Sequence, residues 1–285
     1  MVQSDQVWKD AGGVVHSPDS VRPNRRVVSL VPSLSETFCA IGGREELVGC
    51  TAFCIEPKDL LKDARIVKVG GTKTVLREKV MALNPDLILT NLEENQLDDI
   101  DWFKTRLETY CNGVKTLQDG IASIRELGAL IGRNEHAEKL AREADTELAQ
   151  LRAEASKQLA TQKPLRILYA IWRDPWMTIN HDTFIHDHLV ACGGENVFGA
   201  DESSRYPQVT LDAIRAAKPD VIWLPSEPYR FKEKHLADFA ELTDVPAVRN
   251  GRVELVNGDN VCWFGVRQIE GMKYTVGRMW TPRSL

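Results

Sequence analysis

The chain has 285 residues, more than one ordinary hydrophobic core organises, so two domains are expected. Its 43% apolar and 27% charged residues are those of a folded protein, which excludes a disordered chain, and no run approaches the ~20 apolar residues of a membrane span. A net charge of −5 gives nucleic acid no basic face to bind, so neither nucleic acid nor direct membrane insertion is expected.

Residues 1–24 read as an N-terminal extension without a basic segment leading into an apolar one, the pattern of a protein that stays cytoplasmic if this is its native length. Arg25 to Val31 is an apolar strand. Pro32 ends it, and Ser33 or Ser35 is expected to cap a helix that starts near Glu36 and stops at Gly42 and Gly43. Strand signals recur at Leu47 to Cys50, Ile66 to Val69 and Asp86 to Thr90, and a helix is expected over Asp119 to Ile131. Strands alternating with helices predict a parallel sheet. Asn134 to Thr161 then contains no Gly or Pro. Its apolar positions Ala137, Leu140, Ala141, Ala144, Leu148, Leu151, Ala155 and Leu159 form one stripe, which predicts a single long packed helix.

After Pro164 the pattern starts again. Leu165 to Trp172 is a strand, Asp182 is expected to cap a helix through Val190, and Val221 to Leu224 is another strand. A helix near Lys234 to Leu242, a strand at Val253 to Val256 and a helix from about Val266 to Trp280 complete the chain. The fold class is therefore α/β, with two Rossmann-like lobes of parallel sheet joined by one long backbone helix. The expected boundaries are 25–133 for the first lobe, 134–163 for the helix and 164–285 for the second. One internal echo supports this: REKVMALNPDLIL from Arg77 and LDAIRAAKPDVIWL from Leu211 both read as short helix, Pro-Asp turn and buried strand, with Glu78 and Asp212 at matching places.

Six scattered cysteines without CxxC spacing read as reduced structural thiols. No nucleophile elbow, phosphate-binding loop, dinucleotide fingerprint or zinc-protease motif appears, so no catalytic residue is expected; a thiol enzyme using Cys54 or Cys262 with His181 is the weaker alternative. His181, His186 and His188 cannot share one helix face, so no metal site is expected from them and they read as solvated.

The ordered set RVVSLVPSLSET, VGGTKTVLREKVMALNPDLIL, HDHLVACGGENVF, YPQVTLDAIRAAKPDVIWL and VPAVRNGRVELVNGD resembles the helical-backbone substrate-binding proteins of ABC importers, nearest to the cobalamin-binding branch. The resemblance covers about residues 25–280. It implies a monomeric binding protein with no required cofactor, periplasmic if a signal has been removed, that holds cobalamin or another tetrapyrrole or metal chelate between its lobes. It also implies that Glu78 docks on a membrane permease, with Asp212 standing where the second docking acid is usually Glu. The alternative is a cytosolic carrier of haem, a siderophore or another metal chelate.

Loops at the carboxyl ends of parallel strands hold the candidate ligand contacts. They are Pro32 and Ser33, Phe53 and Cys54, Glu93 and Glu94, Trp172, Arg173 and Trp176, Tyr229, and Trp263 with Phe264. Flat aromatic faces suit a large rigid macrocycle, and Arg173 is expected to clamp a ligand anion or to pair with Glu93 or Glu94. Cys54, Cys262, Tyr229 and His181 are the candidate axial ligands to a metal inside such a ring.

Overall fold

Strands alternate with helices along the chain, and the computed structural model, which describes residues 7–17, 21 and 24–280, sorts them into two units with a parallel sheet in each. The first unit comprises the chain up to Val114, then Gln118–Thr146 and Phe264–Arg267; the second comprises Lys115–Leu117, Glu147–Trp263 and the chain from Gln268.

In the first unit a small hairpin, β1 (Trp8–Lys9) and β2 (Val15–His16), precedes the sheet strand β3 (Val27–Ser29). There follow α1 (Pro32–Phe38), β4 (Leu47–Cys50), β5 (Val67–Lys68), α2 (Arg77–Ala82), β6 (Leu87–Asn91), α3 (Leu97–Lys104), β7 (Glu108–Asn112) and α4 (Leu117–Leu130). The sheet order is β5-β4-β3-β6-β7 with every pair parallel, so the chain winds outward from β3 to one edge and crosses back to β6. That reversal opens a crevice above β3 and β6, where doubly wound sheets place ligands. Val28, Leu30, Val69, Val80, Ile88 and Phe103 form a core cluster on this sheet.

The hairpin lies along β7. Ala11 N donates to Cys111 O at 3.0 Å, and the Asp10 carboxylate accepts from Cys111 N and from Val14 N, both at 2.8 Å, while bonding His16 Nε2 at 3.0 Å.

The helix α5 (Asn134–Leu159) then carries the chain onward for about 39 Å at 1.5 Å per residue. Its apolar stripe is buried as the spacing required, except that Leu140 is half-buried and Leu159 is exposed. Within the first unit, Arg125 of α4 bonds Glu138 at 2.7 Å and Asp145 at 2.8 Å. Gly128 lets α4 approach α5, since a Cβ there would stand 2.3 Å from that of Ala137.

In the second unit β8 (Leu165–Tyr169), α6 (Phe184–Ala191), β9 (Gly194–Asn196), α7 (Leu211–Ala217), β10 (Val221–Pro225), α8 (Pro246–Arg249), β11 (Val253–Val256), α9 (Asp259–Cys262) and α10 (Arg267–Trp280) follow in order, α10 belonging to this unit from Gln268. Its sheet order is β11-β10-β8-β9, again all parallel, with the reversal between β8 and β10. Leu168, Ile214, Ile222, Leu224, Phe239 and Leu242 anchor its core.

The internal echo extends to single hydrogen bonds. Asn84 (φ 47°) and Lys218 (φ 46°) both end their helices in left-handed backbone, each followed by Pro and Asp. Asp86 Oδ2 accepts from Arg26 N at 2.8 Å and Asp86 N donates to Arg26 O at 2.7 Å; Asp220 repeats both contacts with Arg166 at 3.1 and 2.8 Å. Arg26 Nε and Arg166 Nη2 then donate to the last helical turns, at Leu83 O and Ala217 O. One carboxylate in each unit thus fixes the register of two central strands.

Several local expectations are corrected. Neither Ser33 nor Ser35 caps α1. The helix starts at Pro32, whose missing N–H costs nothing at a first turn, and Ser35 Oγ instead donates back to Val31 O at 3.0 Å. Thr183, not Asp182, caps α6, accepting from His186 N at 3.3 Å, because Asp182 is engaged by Lys115 at 2.8 Å and Arg205 at 3.0 Å. The helix expected near Lys234 is a three-ten segment, Glu233–Phe239. The histidines are not all solvated: His188 is wholly buried with Nε2 2.9 Å from Thr275 Oγ1, and burial pushes its pKa down to about 4.

Candidate functional site

Parallel strands put all their carboxyl ends on one edge, so each unit gathers its loops into one surface. In the first unit the centre of that surface is an asparagine clamp. Asn91, the last residue of β6, donates through Nδ2 to Asn112 Oδ1 at 2.7 Å, and its Oδ1 accepts the backbone N–H groups of Glu93 (2.7 Å) and Glu94 (3.0 Å). Asn95 accepts from Asn91 N at 2.9 Å and donates to Leu30 O at 3.1 Å and Thr72 O at 3.0 Å. Both asparagines are buried, and together they tie the ends of β3, β6 and β7 and the loop after β5 into one rigid rim. The half-buried Glu93 and Glu94 are thereby held at the crevice above β3 and β6.

Pro32 and Ser33 border the same crevice at the start of α1. Ser33 is buried, and its hydroxyl has no hydrogen-bond partner among the described residues. Phe53 is 58% exposed and lies over Gly71, where a Cβ would come within 3.0 Å of its ring. Its neighbour Cys54 is wholly buried, with its sulfur 3.0 Å from Ser35 Oγ. Phe264 is buried as well, and Arg267, three residues on, pairs with Glu36 at 2.5 Å and reaches Glu56 at 3.4 Å.

In the second unit the loop after β8 carries Trp172, 44% exposed and edge-on to Tyr229 at 5.3 Å between ring centroids. Tyr229, on the loop after β10, continues the aromatic row to Phe231 at 4.7 Å and His235 at 5.6 Å. Trp176 is half-buried and packs against the core cluster of this unit. It stacks on Phe231 at 5.8 Å between centroids and tilts against Phe239 at 4.8 Å, while its carbonyl accepts from Val209 N at 2.9 Å. Arg173 has carboxylate partners within its own unit: its guanidinium bonds Asp238 at 2.6 Å and Asp174 at 2.5 Å.

A polar knot joins the loops after β10 and β11. Glu227 Oε1 accepts from the Cys262 thiol at 2.9 Å and from Trp263 Nε1, and Gly258 N donates to Ser226 Oγ at 2.8 Å. Burial, with the charge of Asp259 next, pushes the Glu227 carboxyl up to about 7. Trp263 is therefore buried and anchored rather than presenting a face. His181 Nδ1 lies 3.0 Å from Gly199 O, and among the described residues no three His, Cys, Asp or Glu side chains are arranged to hold a metal ion.

Glu78 and Asp212 occupy the second positions of α2 and α7, and both are exposed. Asp212 pairs with Arg215 at 2.9 Å, whereas Glu78 has no ion-pair partner among the described residues. The sequence reading missed Asn91, Asn95 and Glu227. A pair of Asn flanking two acids in NLEEN was the available signal for the first two; Glu227 gave none, since a Glu before Pro reads as an ordinary turn.

Residues 27–258 match the family described as periplasmic binding protein. A vitamin B12-binding protein of Pectobacterium carotovorum subsp. carotovorum is 30% identical over 207 residues, 72% of each chain. The crystal structure of the periplasmic vitamin B12-binding protein of Vibrio cholerae superposes with a TM-score of 0.76 at 24% identity, covering 90% of this chain and 96% of that one. A periplasmic heme-binding protein of Pseudomonas aeruginosa gives 0.77 at 21% identity over 91% and 95%. The two structural likenesses are of fold.

Proposed function

Because the chain belongs to the periplasmic binding protein family, we propose that it captures a corrinoid of the cobalamin class and delivers it, chemically unchanged, to an ABC-importer permease. It is a binding protein and not an enzyme. The observation that carries the ligand is the kinship, across most of both chains, with a protein named for vitamin B12. The loops support it. Each unit offers a rim at its switch point with an exposed aromatic, Phe53 in one and Trp172 in the other, beside polar groups held by buried hydrogen bonds. An apolar macrocycle fringed with amides is matched by aromatic faces next to carboxylates such as Glu93 and Glu94. Pro32, Ser33 and Tyr229 complete this proposed contact set, with Cys54, Trp176, Trp263 and Phe264 supporting it from beneath.

Glu78 and Asp212 are the proposed docking acids for permease cations, acting in a monomer of the periplasm. Charge reversal at Glu78 should abolish transport while leaving ligand affinity unchanged; intact transport would remove the role. Titration with cyanocobalamin while following tryptophan fluorescence tests the ligand. Saturable quenching at micromolar or lower concentration supports it, and quenching by haemin alone refutes it. Haem is the second reading, favoured by the fold likeness to a heme-binding protein and by Tyr229, whose phenol on the loop after β10 could ligate iron.

A further inference from the structure

The hairpin of residues 8–16 closes over a cluster of ionisable groups. His16, paired across the hairpin with Trp8, is buried between two carboxylates: its Nε2 lies 3.0 Å from Oδ2 of Asp10, whose side chain is fully covered, and its Nδ1 stands 3.6 Å from Oε1 of Glu108 on β7. Arg25, also buried, binds the other oxygen of Glu108 and donates to Leu130 O at 3.0 Å. The ring of Tyr110, on β7, lies 5.9 Å from that of His16, and its hydroxyl donates to Glu126 of α4 at 2.6 Å. Lys104 of α3 reaches the hairpin at Gly12 O, 3.4 Å away. Carboxyls therefore surround the imidazole, and Arg25 is the permanent cation buried among them.

A neutral imidazole carries one N–H. With Nε2 donating to Asp10, it turns the lone pair of Nδ1 toward the Glu108 carboxylate, and Nδ1 has no hydrogen-bond partner among the described residues. The imidazolium has a proton on both nitrogens, which turns that repulsion into attraction. Trp8 favours the same form, with its ring centroid 4.6 Å from that of His16, since an aromatic face attracts a cation. Burial works against the charge, but Asp10 and then Glu108 outweigh it and hold the His16 pKa above the ordinary 6.5. The fastening is local. Oδ2 of Asp10, the oxygen that meets His16, also accepts from Cys111 N at 2.8 Å, and Cys111 O accepts from Ala11 N at 3.0 Å; among the described residues, the hydrogen bonds from the hairpin to the β7 backbone fall at Cys111. A segment held at one residue can open while the sheet beneath it stays folded.

We propose that the hairpin of residues 8–16 is a proton-latched strap: the His16 imidazolium, set between Asp10 and Glu108, holds it on β7, and loss of that proton loosens it. His16 binds its proton more tightly in the closed strap than in a detached one. The latch is therefore at full strength below about pH 6.5 and is lost as the pH rises through the raised value of the closed form. Glu108 keeps Arg25 as its partner once His16 is neutral, so the opening is confined to the strap. Gly12 packs directly on Cys111, where an added Cβ would stand 2.8 Å from that of the cysteine, so opening releases Trp8 and uncovers Cys111 together.

Hydrogen exchange of the full chain, without ligand, tests this. Between about pH 5.5 and about pH 9, after correction for the intrinsic base-catalysed rate, protection of the amides of residues 8–16 and of Cys111 should fall about threefold to tenfold, while that of β6 (Leu87–Asn91) does not follow. His16→Gln keeps a donor for Asp10 but carries no charge. Its strap should be the less protected at the acid end and show no fall of its own, so that variant and wild type converge at the alkaline end. Wild-type protection that is flat or rises with pH overturns the proposal, and so does a variant that repeats the wild-type fall. The wild-type measurement decides by itself if the variant does not fold.

Discussion

Replacing Glu227 with Gln isolates the energetic consequence of burying one carboxyl in the knot behind β10 and β11. In the folded protein this group titrates near 7, raised by burial and then by Asp259, against 4.5 when unconstrained. An acid with a raised pKa stabilises the fold least when it is ionised. Below about 4.5 both states hold the proton and nothing is lost; between 4.5 and 7 the unfolded chain releases a proton that the folded protein keeps, and stability falls by about 1.4 kcal/mol per pH unit. Above 7 the loss is complete, about 3 kcal/mol by this reasoning and about 1–3 kcal/mol once partial solvent access to the loop is allowed for. Gln stays neutral and still accepts from Cys262 and Trp263 through its amide oxygen. Glu227→Gln should therefore match the wild type near pH 4.5 and exceed it by about 1–3 kcal/mol at pH 8, raising Tm by a few degrees. Urea denaturation of both proteins from pH 4.5 to 8.5 measures the gap. A gap that does not widen with pH refutes the reasoning, and so does a wild type that is the more stable at pH 8.

Two tryptophans a few residues apart should behave oppositely. Trp176→Ala, which empties the space against Phe231 and Phe239, should lower stability by about 3–5 kcal/mol in chemical denaturation, while Trp172→Ala should leave the midpoint nearly unchanged and weaken cyanocobalamin about tenfold or more. Asn95→Ala strands Leu30 O, Thr72 O and Asn91 N in a buried rim; a loss of about 2–4 kcal/mol and faster hydrogen exchange over 70–73 and 91–95 are expected. Lys218→Gly relieves a left-handed side-chain position at φ 46° and should raise stability by about 0.5–1 kcal/mol, read as a higher Tm.

The secondary structure was legible where a single physical cause dominated. The 28 residues from Asn134 without Gly or Pro gave α5 to within two residues, and the two Pro-Asp turns marked β6 and β10 because Pro ends a helix and apolar β-formers follow. The strand β7 escaped because ETYCN has no aliphatic run; its Thr109, Tyr110 and Cys111 are buried, but polar atoms on them mimic a loop in sequence. The rims were half legible. Strand-end position alone selected Phe53, Trp172 and Tyr229, yet it could not tell them from Trp176 and Trp263, whose burial depends on Phe231, Phe239 and Glu227, contacts set by tertiary folding. Asn91 and Asn95 act through backbone partners in other loops, and no local spacing encodes those.

The hairpin of residues 8–16 along β7 has a consequence for how this protein behaves in company. A terminal strand in a sheet exposes a row of N–H and C=O groups that can recruit any extended peptide, including the same strand of another molecule. Here Cys111, midway along β7, has both of its outward backbone groups taken, the N–H by Asp10 and the carbonyl by Ala11. A chain trimmed to begin at Arg25 would uncover that template, so solubility at high concentration, more than ligand affinity, is the property that the hairpin of residues 8–16 is expected to protect.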